Sequence, residues 1–85
     1  MALHFQRATR STTTDQAYES ILAAILDGSV TPGARLGLHQ LANDLGTSMQ
    51  PIREALRRLE AIGLIDVEAH RGARVRPLEI GRAHV

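Results

Sequence analysis

The stretch LANDLGTSMQPIREALRRLEAIGLI (residues 41–65) holds two apolar helical patterns separated by a break of a few residues. Gly46 and Thr47 sit at the break, Ser48 and Pro51 follow, and Arg53, Arg57 and Arg58 recur along the second pattern. Two helices meeting at a steep angle need a short, often glycine-containing corner and a small shared core. Leu45 and Ile52 are expected to touch across that corner. Ser48 reads as the N-cap of the second helix, its hydroxyl accepting from a first-turn amide. Pro51 then falls inside the first turn, where its missing N–H costs no helical bond. The helix is expected over about 48–61, with Ile52, Ala55, Leu56, Leu59 and Ile62 as its buried stripe.

Rotating about 100° per residue from that stripe puts Gln50, Arg53 and Arg57 near the opposite side, with Glu54 between them and Arg58 on a flank. In a DNA reader the second helix of the pair enters the major groove, and its outer face carries donors for phosphates and base edges. A solvated face laced with Arg–Glu pairs is the plainer reading of the same periodicity. Ser48 also has two reasons to be where it is, because a helix N-terminus offers free amides to a phosphate as well as needing a cap.

The flanking sequence completes the pattern. A helix is expected to start near Thr14, capped by its hydroxyl and favoured by Asp15 at the positive end of the dipole. Ala17, Ile21, Leu22, Ile25 and Leu26 form its apolar stripe, and Gly28 stops it. Pro32-Gly33 marks a turn, Arg35 and Leu36 a short extended piece, and Leu38, Leu41, Ala42 and Leu45 one side of a helix over 38–45. Downstream, LIDVEAH and ARVRPL alternate as two strands around Arg71-Gly72. The sum is a mainly α fold with a small β-hairpin: a winged helix-turn-helix of three helices plus a wing at about 64–77. Arginine at the hairpin tip (Arg71, Arg74 and Arg76, beside His70) suits a wing lying on the DNA backbone or in the minor groove. Residues 1–13 lack periodicity and read as a flexible arm carrying His4, Arg7 and Arg10, ahead of a domain over 14–78.

Composition narrows the function. Eighty-five residues allow one small domain with little room for an enzyme's cleft beside its core. Phe5 and Tyr18 are the only aromatic side chains, so the core must be aliphatic. A net charge of +1 does not itself point to nucleic acid, although all ten basic side chains are arginine. The absence of cysteine excludes disulfides and thiolate metal sites. His4, His39, His70 and His84 lie in separate segments, and no paired carboxylates with ligand spacing, phosphate-cradling glycine loop or catalytic triad is legible. No enzyme activity, metal or cofactor is expected. The longest apolar run, ILAAIL, is too short to span a bilayer, and no signal peptide is visible, so the expected setting is the cytoplasm without membrane contact.

The blocks AAILDGSVTPGARL, LANDLGTSMQPIREALRRLEAIGLI and RGARV resemble the N-terminal DNA-binding domain of GntR-type bacterial transcription regulators, most of all the FadR-like branch with an all-helical ligand domain. The resemblance covers residues 15–75. It implies a double-stranded, near-palindromic DNA operator as partner, bound by a dimer under the control of a small effector metabolite. In such regulators dimerisation and effector binding belong to a larger C-terminal domain, which lies outside these residues, so the fragment is expected to be monomeric. Matched positions give Ser48, Gln50 and Arg53 as recognition-helix residues, His39 where a phosphate-contacting arginine often stands, and Arg71 and Gly72 at the wing tip. The family's Ser-Arg-x-Pro reads Ser48-Met49-Gln50-Pro51 here, with methionine in place of the arginine.

The final EIGRAHV (79–85) is expected to be non-native, because that heptapeptide is the translation of a common sequencing-library adapter. The competing function is a winged helix used for protein–protein contact without specific DNA binding. Since a good bidentate base contact carries about 1–3 kcal/mol of discrimination, Met49→Arg should tighten binding to a duplex in a fluorescence-anisotropy titration; an unchanged affinity would mean that position 49 does not face the DNA.

Overall fold

The computed structural model describes residues 12–69 and 71–77. The expectations placed on residues 1–11 of the arm, on His70 and on the tail at 79–85 therefore lie outside the described residues, whereas Thr12 and Thr13, also expected in the arm, are the cap and first residue of a helix. Three helices and three strands follow in the order α1 (Thr13–Leu26), β1 (Arg35–Gly37), α2 (Leu38–Leu45), α3 (Met49–Ala61), β2 (Ile65–Glu68) and β3 (Gly72–Val75). This is the anticipated winged helix-turn-helix, with one addition. The extended piece at Arg35 does not stand alone: β1 pairs antiparallel with β3, so the sheet has three strands in the order β1-β3-β2.

α1 begins one residue earlier than expected, and its cap is Thr12 rather than Thr14. The Thr12 hydroxyl accepts from the Asp15 amide at 3.0 Å while the Asp15 carboxylate accepts from the Thr12 amide at 3.2 Å, a reciprocal capping box. Thr14, freed from that duty, points across to α3. Of the five-residue stripe only Ala17, Ile21 and Ile25, spaced at four, are buried; Leu22 is partly covered and Leu26 is 64% exposed. A four-residue row faces one neighbour, α3, and residues one position further round fall off its edge.

The corner forms as the sequence requires. Gly46 takes φ +68, the left-handed conformation that ends α2, and the Thr47 amide donates back to the Ala42 carbonyl at 2.9 Å. Ser48 is the N-cap of α3 by backbone geometry, but its hydroxyl makes no capping hydrogen bond, so the expected satisfaction of a first-turn amide is not observed. Ile52 is fully buried at the corner. Leu45 is 38% exposed and lines a shallow groove with Thr13, Gln16 and Ala17 of α1, so it is not sealed into the corner.

α3 is the hub: α1, α2, β2 and β3 all pack on it. Its residues Ile52, Ala55, Leu56 and Leu59 join Ile21, Leu36, Ile65, Ala73 and Val75 in one aliphatic core. Ile62 does not belong to it. It is the C-cap of α3, past the last full turn, and 56% exposed. Leu64, half-buried against the core, follows the helix end instead, its amide bonded to the Leu59 carbonyl at 3.1 Å.

The sheet is tied down at both margins. The Val67 amide, on the edge of β2 away from β3, donates to Glu60 Oε2 at 2.9 Å, which anchors that edge to α3. At the other margin β1 runs so close to β3 that a Cβ on Gly72 would overlap the Leu36 carbonyl oxygen and lie 2.9 Å from the Leu38 nitrogen. Gly72 also holds φ +130, a conformation L side chains rarely adopt. Gly72→Ala should therefore lower the unfolding free energy by about 3 kcal/mol; a urea midpoint unmoved from wild type would show that β1 yields without cost.

Candidate nucleic-acid interface

α3 positions the candidate side chains because its inner face is fully committed to the core. Gln50, Arg53 and Arg57 are exposed on the other side, as the periodicity requires. They line a cleft of about 610 Å³ whose opposite wall is Val67, Glu68 and Gly72 of the wing. The cleft is a consequence of tertiary packing: helix and hairpin are separated by the core residues beneath them, not by any feature of either segment.

The seven described arginines divide into two sets. Four are paired. Arg58 meets Asp15 of α1 at 2.8 Å and lies 4.3 Å from the centroid of the Tyr18 ring. Arg35 and Arg74 both converge on Glu68 at 3.5 Å, and Arg76 meets Asp66 at 3.7 Å. These last contacts are long. Glu68 Oε1 has no hydrogen-bond partner among the described residues, so its pair with Arg35 is charge proximity without a well-made bond. The other three, Arg53, Arg57 and Arg71, have no ion pair among the described residues. Arg53 and Arg57 line the cleft, and Arg71 is exposed at the hairpin turn.

This division revises the wing. Arg74 and Arg76 are not at its tip; they stand on the strand and just beyond it, spent on Glu68 and Asp66. Gly72 is buried beside Leu36, so it serves the wing as the point of close strand approach, with no side chain to offer a ligand. The Arg71 carbonyl accepts from the Leu38 amide at 3.1 Å, which fastens the hairpin turn to the start of α2. His39, exposed on that first turn, is thereby carried next to the wing. Ser48 is exposed at the opposite end of α2, where α3 begins. Met49 is half-buried against the core, so an arginine there would lay its stem on the core and send only its head outward.

The bonding of Glu54, which also lines the cleft, was not fully legible from sequence. Glu54 is hydrogen-bonded on one oxygen by the Thr14 hydroxyl at 2.9 Å and on the other by the Gln50 side-chain amide at 3.2 Å. The Thr14 bond first, and the Gln50 bond second, hold its carboxyl below the ordinary carboxylate range. The i,i+4 spacing of Gln50 and Glu54 is visible in the sequence; a partner forty positions away is not. Among the described residues no cluster of three or more potential metal ligands occurs, and no helix is long and apolar enough to cross a membrane.

Residues 13–75 match the model of the bacterial regulatory proteins of the gntR family. The chain belongs to that family. Its matched residues are the helix-turn-helix domain of a family of transcription regulators, not enzymes. A probable D-xylose utilization operon transcriptional repressor from Paenarthrobacter nicotinovorans is 41% identical over 73 residues, which are 86% of this chain and 32% of that protein. A GntR family regulator from Pseudomonas syringae pv. tomato superposes with a TM-score of 0.69 at 45% identity, over 78% of this chain and 28% of that one. Escherichia coli McbR/YncC gives 0.74 at 33% identity, over 86% and 34%. The chain thus spans about a third of the length of the first curated relative. The three helices and hairpin found here match the winged-helix fold of the GntR family structure from Pseudomonas syringae.

The electrostatics of the paired set can be measured separately from any ligand. Arg58 is the main cause that holds Asp15 below the usual carboxylate value, with the Thr12 bonds adding to it, and Ser29 does the same for Asp27. Folded-state values below the unfolded ones stabilise the protein above about pH 4, and that stabilisation is lost as pH falls through the folded values. Urea midpoints should be level from neutrality to about pH 5 and decline below about pH 4. Asp15→Asn should shallow that decline; an acid limb identical to wild type would assign the decline to other groups.

Proposed function

We propose that this domain binds double-stranded DNA sequence-specifically, with α3 in the major groove and the wing on the backbone or in the minor groove. The single observation that carries the reading is the division of the arginines. Four are ion-paired within the domain, while three are unpaired among the described residues: Arg53 and Arg57, which line the cleft between α3 and the wing, and Arg71, exposed at the hairpin turn. An exposed guanidinium without a carboxylate is available for phosphates and for guanine O6 and N7. Ser48 and the free amides at the start of α3 suit a phosphate, as do His39 and Arg71 on the joined α2 and wing. Gly72 contributes by holding the wing in place.

The family's architecture supports a wider proposal. In the whole protein this domain would be one half of a dimer on a near-palindromic operator in the cytoplasm, with a separate domain binding an effector metabolite. A single copy then reads one half-site, with affinity toward the non-specific range of about 10⁻⁴–10⁻⁶ M.

Fluorescence anisotropy on a randomised duplex pool, with sequencing of the retained duplexes, tests this at two salt concentrations. Binding should weaken steeply with salt, by about 0.9 in log–log slope for each phosphate neutralised, and a short half-site should be enriched. Arg53→Ala and Arg57→Ala should each cost about 1–3 kcal/mol on the enriched duplex, and the paired Arg76→Ala much less. Salt-dependent binding without enrichment would leave only backbone affinity. No binding at low salt would favour a protein-interaction role for the same face.

A further inference from the structure

The amide of Gln50 is not free to present either end to a groove. Glu54 takes its Nε2 at 3.2 Å, and Thr14 of α1 takes the other oxygen of Glu54 at 2.9 Å. An ionised carboxylate only accepts, so the end of Gln50 turned toward it must be the nitrogen. On an isolated helix such an i,i+4 pair is a weak, mobile contact. Here the carboxylate is held from a second element, and both bonds favour its ionised form, which keeps it acceptor-only.

What Gln50 has left is Oε1 and one N–H, on a side chain that lines the cleft. That acceptor–donor pair complements the N6 amino group and N7 of adenine in the major groove. The position of Glu54 is otherwise difficult to account for, since a carboxylate on the same face as Arg53 and Arg57 opposes approach to phosphates.

We infer that Glu54, anchored by Thr14, is a positioning residue that sets the orientation of the Gln50 amide and thereby a preference for adenine at one base pair of the DNA site. This deepens the DNA-reading proposal and rests on it.

The test uses the whole 85-residue chain and the duplex it retains most strongly from the randomised pool, remade with 7-deazaadenine at each adenine in turn. Wild type should lose about tenfold in affinity at one adenine and little at the others. Gln50→Ala should erase that difference. Glu54→Gln and Thr14→Val should shrink it to less than about threefold, with circular dichroism unchanged. Glu54→Gln also removes a negative charge and tightens binding to every duplex, but the ratio between the two duplexes cancels that effect, and Thr14→Val leaves the charge in place.

A wild-type chain that binds no DNA, or binds all duplexes alike, overturns the DNA-reading proposal and this inference with it. Sequence preference without any deazaadenine-sensitive adenine overturns the inference alone. So does a preference that survives both Glu54→Gln and Thr14→Val. Loss in Glu54→Gln but not in Gln50→Ala makes Glu54 itself the base reader, which also overturns it.

Discussion

Burial of one side of α3 is the constraint on which the domain depends. Ile52, Ala55 and Leu59 have no exposed surface, and α1, α2, β2 and β3 all reach the helix to cover them. Ile52 and Leu59 contribute about 1.5–3 kcal/mol each by this burial, and the buried hydrophobic residues among those described form one cluster with them. The orientation of the outer face follows without further specification. A helix has two sides, and once the inner is held on four neighbours the outer is presented rigidly, which a reader of base edges requires.

The charged residues serve that rigidity in a second way. Arg58, on the flank of α3, is drawn to Asp15 and the Tyr18 ring, so it joins α3 to α1. Glu60 secures the outer edge of β2 through the Val67 amide. Exposed pairs of this kind are worth little individually, and here they tie α1 and the edge of β2 to α3. Of the described arginines that remain without carboxylates, Arg53 and Arg57 line one cleft and Arg71 is exposed at the hairpin turn, although the chain as a whole carries a net charge of only +1.

Two backbone features carry the geometry from the corner to the wing. Gly46 turns the chain between α2 and α3, and Gly72 lets β1 pass against β3 at a distance no other residue permits. β1 runs directly into α2, and the Arg71 carbonyl holds the first amide of α2, so the wing is fastened to the helical corner at both points. Gly72, read from sequence as a wing-tip residue, is also the point of closest approach between β1 and β3.

Periodicity alone determined the three helices, the hairpin, the outward face of Gln50, Arg53 and Arg57, and the glycine at the corner. These depend on neighbours three or four residues apart, or two apart in strands, and so are written locally. What failed locally failed for a local reason too: Thr12 displaced Thr14 as cap because Asp15 completes the box at that spacing, and Ile62 left its stripe because the helix ended beneath it. Only the tertiary structure decided that β1 adds a third strand, that Arg74 and Arg76 are spent on Glu68 and Asp66, that Gly72 is buried, and that Thr14 grips Glu54. Each of these joins residues distant in the chain. Such a contact has no sequence period, and it exists only once the aliphatic core has brought its two partners to within bonding distance.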